Sequence, residues 1–163
     1  MPMSPYEEGI RALAEANGDR HATRPLWNRR PAGLAGPRST IYPARAESVA
    51  AARSDVVRMA GDAGASNDAL ADIALAVSEA STNAVMHAYA LSGAPGETFT
   101  IAVASAGAQF SVWVTDEGQG GEPSAPSPGL GLGLEIMTRL SERLVIGALD
   151  DGRTQVEMRF DLD

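Results

Sequence analysis

The chain has 163 residues, a formal net charge of −8 at pH 7 and no cysteine, which fits one domain and excludes disulfides and thiolate metal sites. Its acidic balance argues against direct nucleic-acid binding, because phosphate neutralisation needs clustered Lys and Arg, and its two well-separated histidines argue against a zinc site. No apolar run reaches the length of a signal peptide or a membrane span, so we expect a cytoplasmic protein without membrane attachment.

Residues 1–36 show no regular periodicity and become rich in Arg, Pro and Gly. We expect a partly disordered N-terminal extension with one short helix over residues 6–16. The arginines around Trp27 are alternatively a partner-binding patch. Residues 37–163 carry the regular patterns and are the expected folded domain.

Helical patterns dominate the first half of this domain. A short strand at residues 39–43 precedes a helix at residues 45–60, where apolar side chains recur at three- and four-residue steps and which Gly61 and Gly64 are expected to end. A second helix starts at an N-cap provided by Ser66 or Asn67 and reaches about residue 89. Its apolar stripe predicts that one face lies in the core.

Strand patterns dominate the second half. The predicted elements are half-buried strands at residues 98–103 and 110–115, a helix through Leu134, Met137 and Leu140, and strands at 144–149 and 154–160 joined by an Asp151-Gly152 hairpin turn. Early helices and late antiparallel strands predict an α+β fold: a two-layer sandwich of a mixed or antiparallel sheet with helices packed on one face.

The second helix carries a pair of polar residues, Glu79 and Asn83, next to its apolar stripe. A spacing of four places the carboxylate and the amide on successive turns of one helix face. Such a pair can take a proton from an incoming nucleophile and hold a hard cation. The alternative is a solvated Glu and Asn on a surface helix.

Asp116 continues the inward parity of the second predicted strand and is followed by Gly118 and Gly120. A buried carboxylate needs a hydrogen-bond donor, and the exocyclic amine of adenine would supply one beside these two glycines. Alternatively, Asp116 begins a turn and caps backbone amides. Thr154, on the inward parity of the last strand, could place a hydroxyl near Asp116, or it is an ordinary strand residue.

A glycine repeat, Gly129-Leu130-Gly131-Leu132-Gly133-Leu134, comes immediately before the third predicted helix. Glycines let the backbone approach an anion, and free amides at a helix start point toward it, so the segment can hold phosphates. A flexible hinge or close packing against the sheet is the alternative. The spacing matches neither a Walker loop nor a Rossmann fingerprint.

Together these segments resemble the GHKL ATPases, which have the Bergerat ATP-binding fold. Within that superfamily they resemble the anti-sigma factor serine/threonine-protein kinases of bacterial sporulation and general-stress switches. The resemblance covers residues 39–160 and rests on AVSEASTNAVMHAY at 76–89, DEGQG at 116–120 and GLGLGL at 129–134. The order and spacing of the three segments match that family.

The resemblance implies binding of ATP or ADP with Mg²⁺. Glu79 would be the general base that deprotonates a serine of the protein substrate, and Asn83 would hold the magnesium ion. Asp116 would accept from the adenine amine, and Thr154 would complete the base pocket. The implied glycines are Gly118 and Gly120 at the base, and Gly129, Gly131 and Gly133 at the phosphates.

The resemblance also implies partners. The phospho-acceptor would be an anti-anti-sigma factor, the sequestered protein a sigma factor, and the kinase a homodimer. Arg53, on the outer side of the first helix, matches the position that contacts sigma in this family. We therefore expect a partner-switching protein that contacts neither nucleic acid nor membrane directly.

The chain departs from the family at three places. Ala88 replaces the usual glycine after the first segment's histidine, and Arg153 stands where relatives often have a second glycine before the final threonine. The lid at residues 121–128 contains no Lys or Arg, which puts rapid phosphoryl transfer in doubt but not nucleotide binding.

Two further functional readings stand beside the kinase. One is a nucleotide-gated binding module that sequesters a regulator with little catalysis, which the lid without Lys or Arg and the extension with its Arg and Trp residues favour. The other is the detached catalytic domain of a sensor histidine kinase. The short lid and the absence of a dimerisation helix with a phospho-accepting histidine argue against it.

Overall fold

Five strands and three helices make up the part of the chain that the computed structural model describes, namely residues 38–91, 97–116 and 130–163. In chain order they are β1 (Arg38–Pro43), α1 (Ala46–Asp62), α2 (Asn67–Leu91), β2 (Thr98–Ala106), β3 (Gln109–Asp116), α3 (Leu130–Leu140), β4 (Arg143–Ala148) and β5 (Thr154–Asp161). The predicted extension, residues 1–36, lies outside the described residues.

The strands form one sheet in the order β1-β2-β3-β5-β4, and all four pairings are antiparallel. Two tight turns join neighbours, with Gly107 between β2 and β3 at φ 59° and Gly152 between β4 and β5 at φ 86°. These left-handed conformations suit glycine, which has no Cβ to clash with the backbone. The predicted α+β class is confirmed, with an antiparallel sheet.

One face of the sheet and all three helices share a single hydrophobic core. Its fully buried members include Phe99 and Val112 from the sheet, Val56 from α1, Ile73 from α2 and Met137 from α3. The helices therefore pack on one face, as the predicted two-layer sandwich requires.

Helix α2 is the central element of the helical layer, in contact with α1, α3 and strands β2, β3 and β5. The hydroxyl of Ser66 accepts the backbone N–H of Ala69 at 3.2 Å, which confirms the predicted N-cap. Small residues at 76, 80 and 84 are buried where the helix meets the sheet. The helix that carries Glu79 and Asn83 thus packs against α1, α3 and the sheet.

Two helix boundaries differ from the predictions. Helix α1 continues through Gly61 to Asp62, and it is Gly64, at φ 97°, that takes the left-handed conformation after it. Helix α3 begins at Leu130, so most of the glycine repeat lies inside the helix rather than before it. A glycine lowers helix propensity by only about 1 kcal/mol, which packing against neighbours can offset.

The expectation of half-buried strands is wrong for the central strands. On the face away from the core, Thr115, Gln155 and Glu157 are buried, and Trp113 packs with Ala104 and Val145. The alternation of polar and apolar residues predicts that this face is exposed to solvent, but its polar side chains can be buried because they hydrogen-bond to other side chains. The Gln155 amide, for example, donates to the Thr115 hydroxyl at 2.9 Å. Both faces of β3 and β5 are therefore shielded, which fixes the middle of the sheet.

Edge strand β1 is tied to α1 by Tyr42, whose hydroxyl donates to the carboxylate of Asp55 at 2.8 Å. The Tyr42 ring stacks on Phe99 with centroids 5.4 Å apart. Burial, together with the hydrogen bond to Asp55, raises the pKa of Tyr42 from 10.0 to about 12. The fold therefore favours the neutral phenol.

We expect Tyr42→Phe to lower the free energy of unfolding by about 1–2 kcal/mol near neutral pH, because a partly buried hydrogen bond to a carboxylate is lost. A raised pKa means that this stabilisation is complete below pH 10 and disappears as the pH rises to about 12. Urea unfolding of both proteins between pH 7 and 12 measures the difference. A difference that stays constant over that range would contradict this account of Tyr42.

Candidate functional site

The start of helix α3 rests on the polar pair of α2. Glu79 and Asn83 lie one turn apart on α2 and both are partly buried. A Cβ built on Gly133 would stand 2.8 Å from Oε2 of Glu79 and 3.7 Å from Nδ2 of Asn83. A side chain at position 133 would therefore force the Glu79 carboxylate to shift. The pair therefore lies between two helices rather than on an open surface.

On the sheet, Asp116 and Thr154 come together at one end. Asp116 is the last residue of β3 and is only 7% exposed. Thr154 is the first residue of β5, and the register pairs Thr115 with Gln155. Continuing that antiparallel register by one step puts Asp116 beside Thr154. Their parity directs both toward the helical layer.

A pocket opens between this sheet end and the two helices. Its polar lining comes from Asn83, Asp116 and Thr154. Its other lining residues are aliphatic or methionine: Ala80, Ala84, Val114, Leu134, Met137, Ile146 and Val156. A few polar groups that converge in an otherwise apolar pocket are typical of a small-molecule site.

The arrangement suits a ring that carries a hydrogen-bond donor on its edge. Apolar walls can enclose the ring, while the buried Asp116 carboxylate accepts from an amine on the ring's edge. Asn83 is the polar lining residue from α2, and it lies beside Glu79 and Gly133. A ligand that extends from Asp116 toward Asn83 would bring its tail to the Glu79 carboxylate.

The sequence-predicted site residues fall into three groups. Asn83, Asp116 and Thr154 line one pocket, and Glu79 and Gly133 meet at its side. Gly131 belongs to the first turn of α3. The other glycines, Gly118, Gly120 and Gly129, lie outside the described residues.

Arg53 is separate from this pocket. It is exposed on α1 and is not among the pocket's lining residues. Any role of Arg53 in binding a partner would therefore involve a different surface from this pocket.

The pocket walls were missed by the sequence analysis. Met137 was predicted only as part of a helix and Ile146 only as part of a strand, yet both line the pocket. A signal was present in Ala80 and Ala84, which flank Asn83 on α2: two small side chains one turn apart leave room beside a helix. The contact between Gly133 and Glu79 had no signal in the sequence.

This fold and pocket are those of an ATPase domain. The chain belongs to the histidine kinase-like ATPase domain family, whose family model matches residues 42–160. The resemblance to the GHKL ATPases is thereby confirmed.

A solved structure is similar over most of the chain: the crystal structure of the RsbU and RsbW domains of Rv1364c from Mycobacterium tuberculosis. The match has 25% sequence identity and a TM-score of 0.60, and it covers 78% of this chain and 32% of that one. This chain therefore corresponds to about a third of that protein. A search of curated proteins found no significant match.

No helix within residues 38–91, 97–116 and 130–163 is both long enough and apolar enough to cross a bilayer. This finding agrees with the sequence, which has no apolar run of that length.

Proposed function

We propose that the protein is an ATP-dependent serine kinase that phosphorylates an anti-anti-sigma protein and also sequesters a sigma factor. The observation that carries the proposal is the position of the Glu79 carboxylate at the side of the Asn83–Asp116–Thr154 pocket. A base beside the tail end of a nucleotide pocket is what transfer to a hydroxyl requires. The similarity to the structure containing an RsbW domain supports the narrower assignment.

Binding would be divided between the two layers of the fold. Adenine would lie between the apolar walls, with its amine donating to Asp116 and with Thr154 beside it. Gly118 and Gly120 would shape the base end, and Gly129, Gly131 and Gly133 the phosphate end, as the family resemblance implies. The glycine backbone near the start of α3 allows phosphates to approach its free amides.

The donor chemistry fits magnesium as well as a nucleotide. No group of three or more His, Cys, Asp or Glu side chains that could hold a metal occurs among the described residues, so Asn83 would act with the phosphate oxygens. The ion would neutralise charge on the phosphates.

Glu79 would act on the acceptor. Its carboxylate takes the proton from the serine hydroxyl while the serine oxygen bonds to the γ-phosphorus and the bond to the β,γ-bridging oxygen breaks, leaving ADP. The packing of Gly133 against Oε2 limits the positions of the carboxylate. The two helices thereby hold the base in place before the acceptor arrives.

The proposal is tested with purified protein, γ-labelled ATP, magnesium and anti-anti-sigma proteins of the source organism. We expect label on a serine of one of them, and nucleotide-dependent binding of a sigma factor. Substituting Arg53 with Ala should weaken sigma binding and leave phosphotransfer unchanged, because Arg53 is exposed and lies outside the pocket. Failure to label any such protein would contradict the kinase assignment.

A second candidate function is a nucleotide-gated binding module with little catalysis. The absence of Lys and Arg between residues 121 and 128 favours it, because a lid cation would otherwise help to neutralise the transferred phosphoryl group. This candidate predicts ADP or ATP binding and nucleotide-dependent partner affinity without label transfer. In either case we propose a cytoplasmic, homodimeric bacterial protein.

We expect Gly133→Ala to lower phosphotransfer by roughly tenfold to a hundredfold, because the added methyl displaces the Glu79 carboxylate. Nucleotide affinity should change much less, since Glu79 is not among the pocket-lining residues. Single-turnover transfer and calorimetric ADP titration measure the two effects. Gly147→Ala is the matched control, because nothing lies within 4 Å of a Cβ at that position. Equal transfer rates in both variants would contradict the role of Gly133.

A further inference from the structure

Four large apolar side chains are exposed in the described residues, and three of them belong to the two helices that meet at Glu79. Leu75 is 46% exposed and Met86 37% exposed on α2, and Leu132 is 69% exposed on α3. We call these three residues the apolar ridge. Single exposed apolar residues are ordinary on protein surfaces, but a cluster beside a reactive carboxylate calls for an explanation.

Helix geometry places the ridge on both sides of Glu79. Leu75 and Met86 are separated by about 16 Å along α2 and by about 20° around its axis. Glu79 lies between them along the helix and is displaced by roughly 20–40° toward α3. Leu132 directly precedes Gly133, whose backbone packs against Glu79. The carboxylate is therefore flanked by apolar side chains on both helices.

The ridge points away from the core. The buried residues of α2, such as Ile73 and Val77, lie on the opposite side of the helix from Leu75 and Met86. Thr82, between the two along the same side, is also exposed. In the described part of the chain, this face of α2 is thus open to a partner over about three helical turns.

We propose that the apolar ridge is the docking surface for the phospho-acceptor protein, which presents an aliphatic patch next to its serine. This inference rests on the proposed kinase function and extends it to how the substrate is recognised. The serine hydroxyl must come within about 2.6–3.2 Å of the Glu79 carboxylate, so the acceptor must cover the surface around it. A short peptide would not cover the whole ridge, whereas a folded partner with a typical interface would.

The test measures binding of a purified anti-anti-sigma protein of the source organism to full-length protein loaded with ADP, which prevents turnover. We expect the double variant Leu75→Glu/Met86→Glu to bind it roughly tenfold or more weakly, because two apolar contacts become charged. ADP affinity should be unchanged. Ile41→Glu is the matched control: Ile41 is 67% exposed on the edge strand β1, on the sheet face opposite the helices, because its neighbour Tyr42 is the residue that faces the core, and its substitution should leave acceptor binding unaffected.

The outcomes distinguish failure of the docking proposal from failure of the proposed kinase function. Equal acceptor affinity in the double variant and the wild type, or no acceptor binding by the wild type, overturns the docking proposal. Phosphotransfer is assayed separately with labelled ATP. Transfer that persists unchanged in the double variant would overturn docking and leave the kinase function intact. Ridge-dependent binding without any transfer would support docking and contradict the kinase function. Far-UV circular dichroism confirms that these surface variants are folded.

Discussion

Replacing Glu79 with Gln should lower phosphotransfer by roughly 10²- to 10⁴-fold, the range that a positioned general base contributes. Gln has nearly the same shape as Glu but cannot take the proton of the acceptor hydroxyl. Because the carboxylate lies beside the pocket rather than in its lining, the dissociation constant for ADP should stay within about twofold. Single-turnover transfer and calorimetry measure the two quantities.

A matched control for this substitution is Glu135→Gln. Glu135 is an exposed carboxylate on α3 that pairs with Arg139 at 2.7 Å, and an exposed pair of this kind contributes little. It should keep wild-type transfer. If Glu79→Gln transferred phosphate as fast as Glu135→Gln, another group would have to be the base. If Glu79→Gln lost transfer and ADP binding together, Glu79 would have a role in binding or folding instead.

Replacing Asp116 with Ala should weaken ATP and ADP binding by roughly tenfold to a hundredfold, because a hydrogen bond to a buried carboxylate contributes about 1.5–3 kcal/mol. The buried position of Asp116 at the pocket makes this contact specific for a donor. Wild-type protein should therefore prefer ADP, whose ring carries an amine, over IDP, whose ring carries a carbonyl at the same place. The variant should lose most of that preference.

Calorimetric titration of ADP and IDP into both proteins measures this discrimination. Asp161→Ala, which removes an exposed aspartate from β5, is the control and should bind both nucleotides as the wild type does. A variant at Asp116 that weakened ADP and IDP equally would show that the carboxylate shapes the pocket without contacting the base. An unchanged ADP affinity would place the nucleotide elsewhere.

Periodicity in the sequence was enough to predict the elements and one side of the site. The apolar stripe of α2 fixes which face is buried, and a spacing of four then places Glu79 and Asn83 together at its border. Strand parity likewise predicted that Asp116 faces the core. These are local properties of a helix and a strand, and the structure agrees with them.

Contacts between residues far apart in the sequence could not be predicted from local sequence patterns. The sequence suggested that Thr154 could approach Asp116, but only the adjacency of β3 and β5 in the sheet brings these residues side by side. The contact of Gly133 with Glu79 depends on how α3 packs against α2, which no single segment encodes. The burial of Thr115 and Gln155 on the outer face could not be predicted for the same reason, because each polar side chain is hydrogen-bonded to a partner that is distant in the sequence.

Because Gly133 lies close to Glu79, helix α3 affects both the pocket and the surroundings of the carboxylate. Helix α3 supplies part of the pocket wall through Leu134 and Met137, and its backbone also confines the Glu79 carboxylate. In the proposed kinase, a movement of α3 would therefore change the pocket wall and the surroundings of the Glu79 carboxylate together.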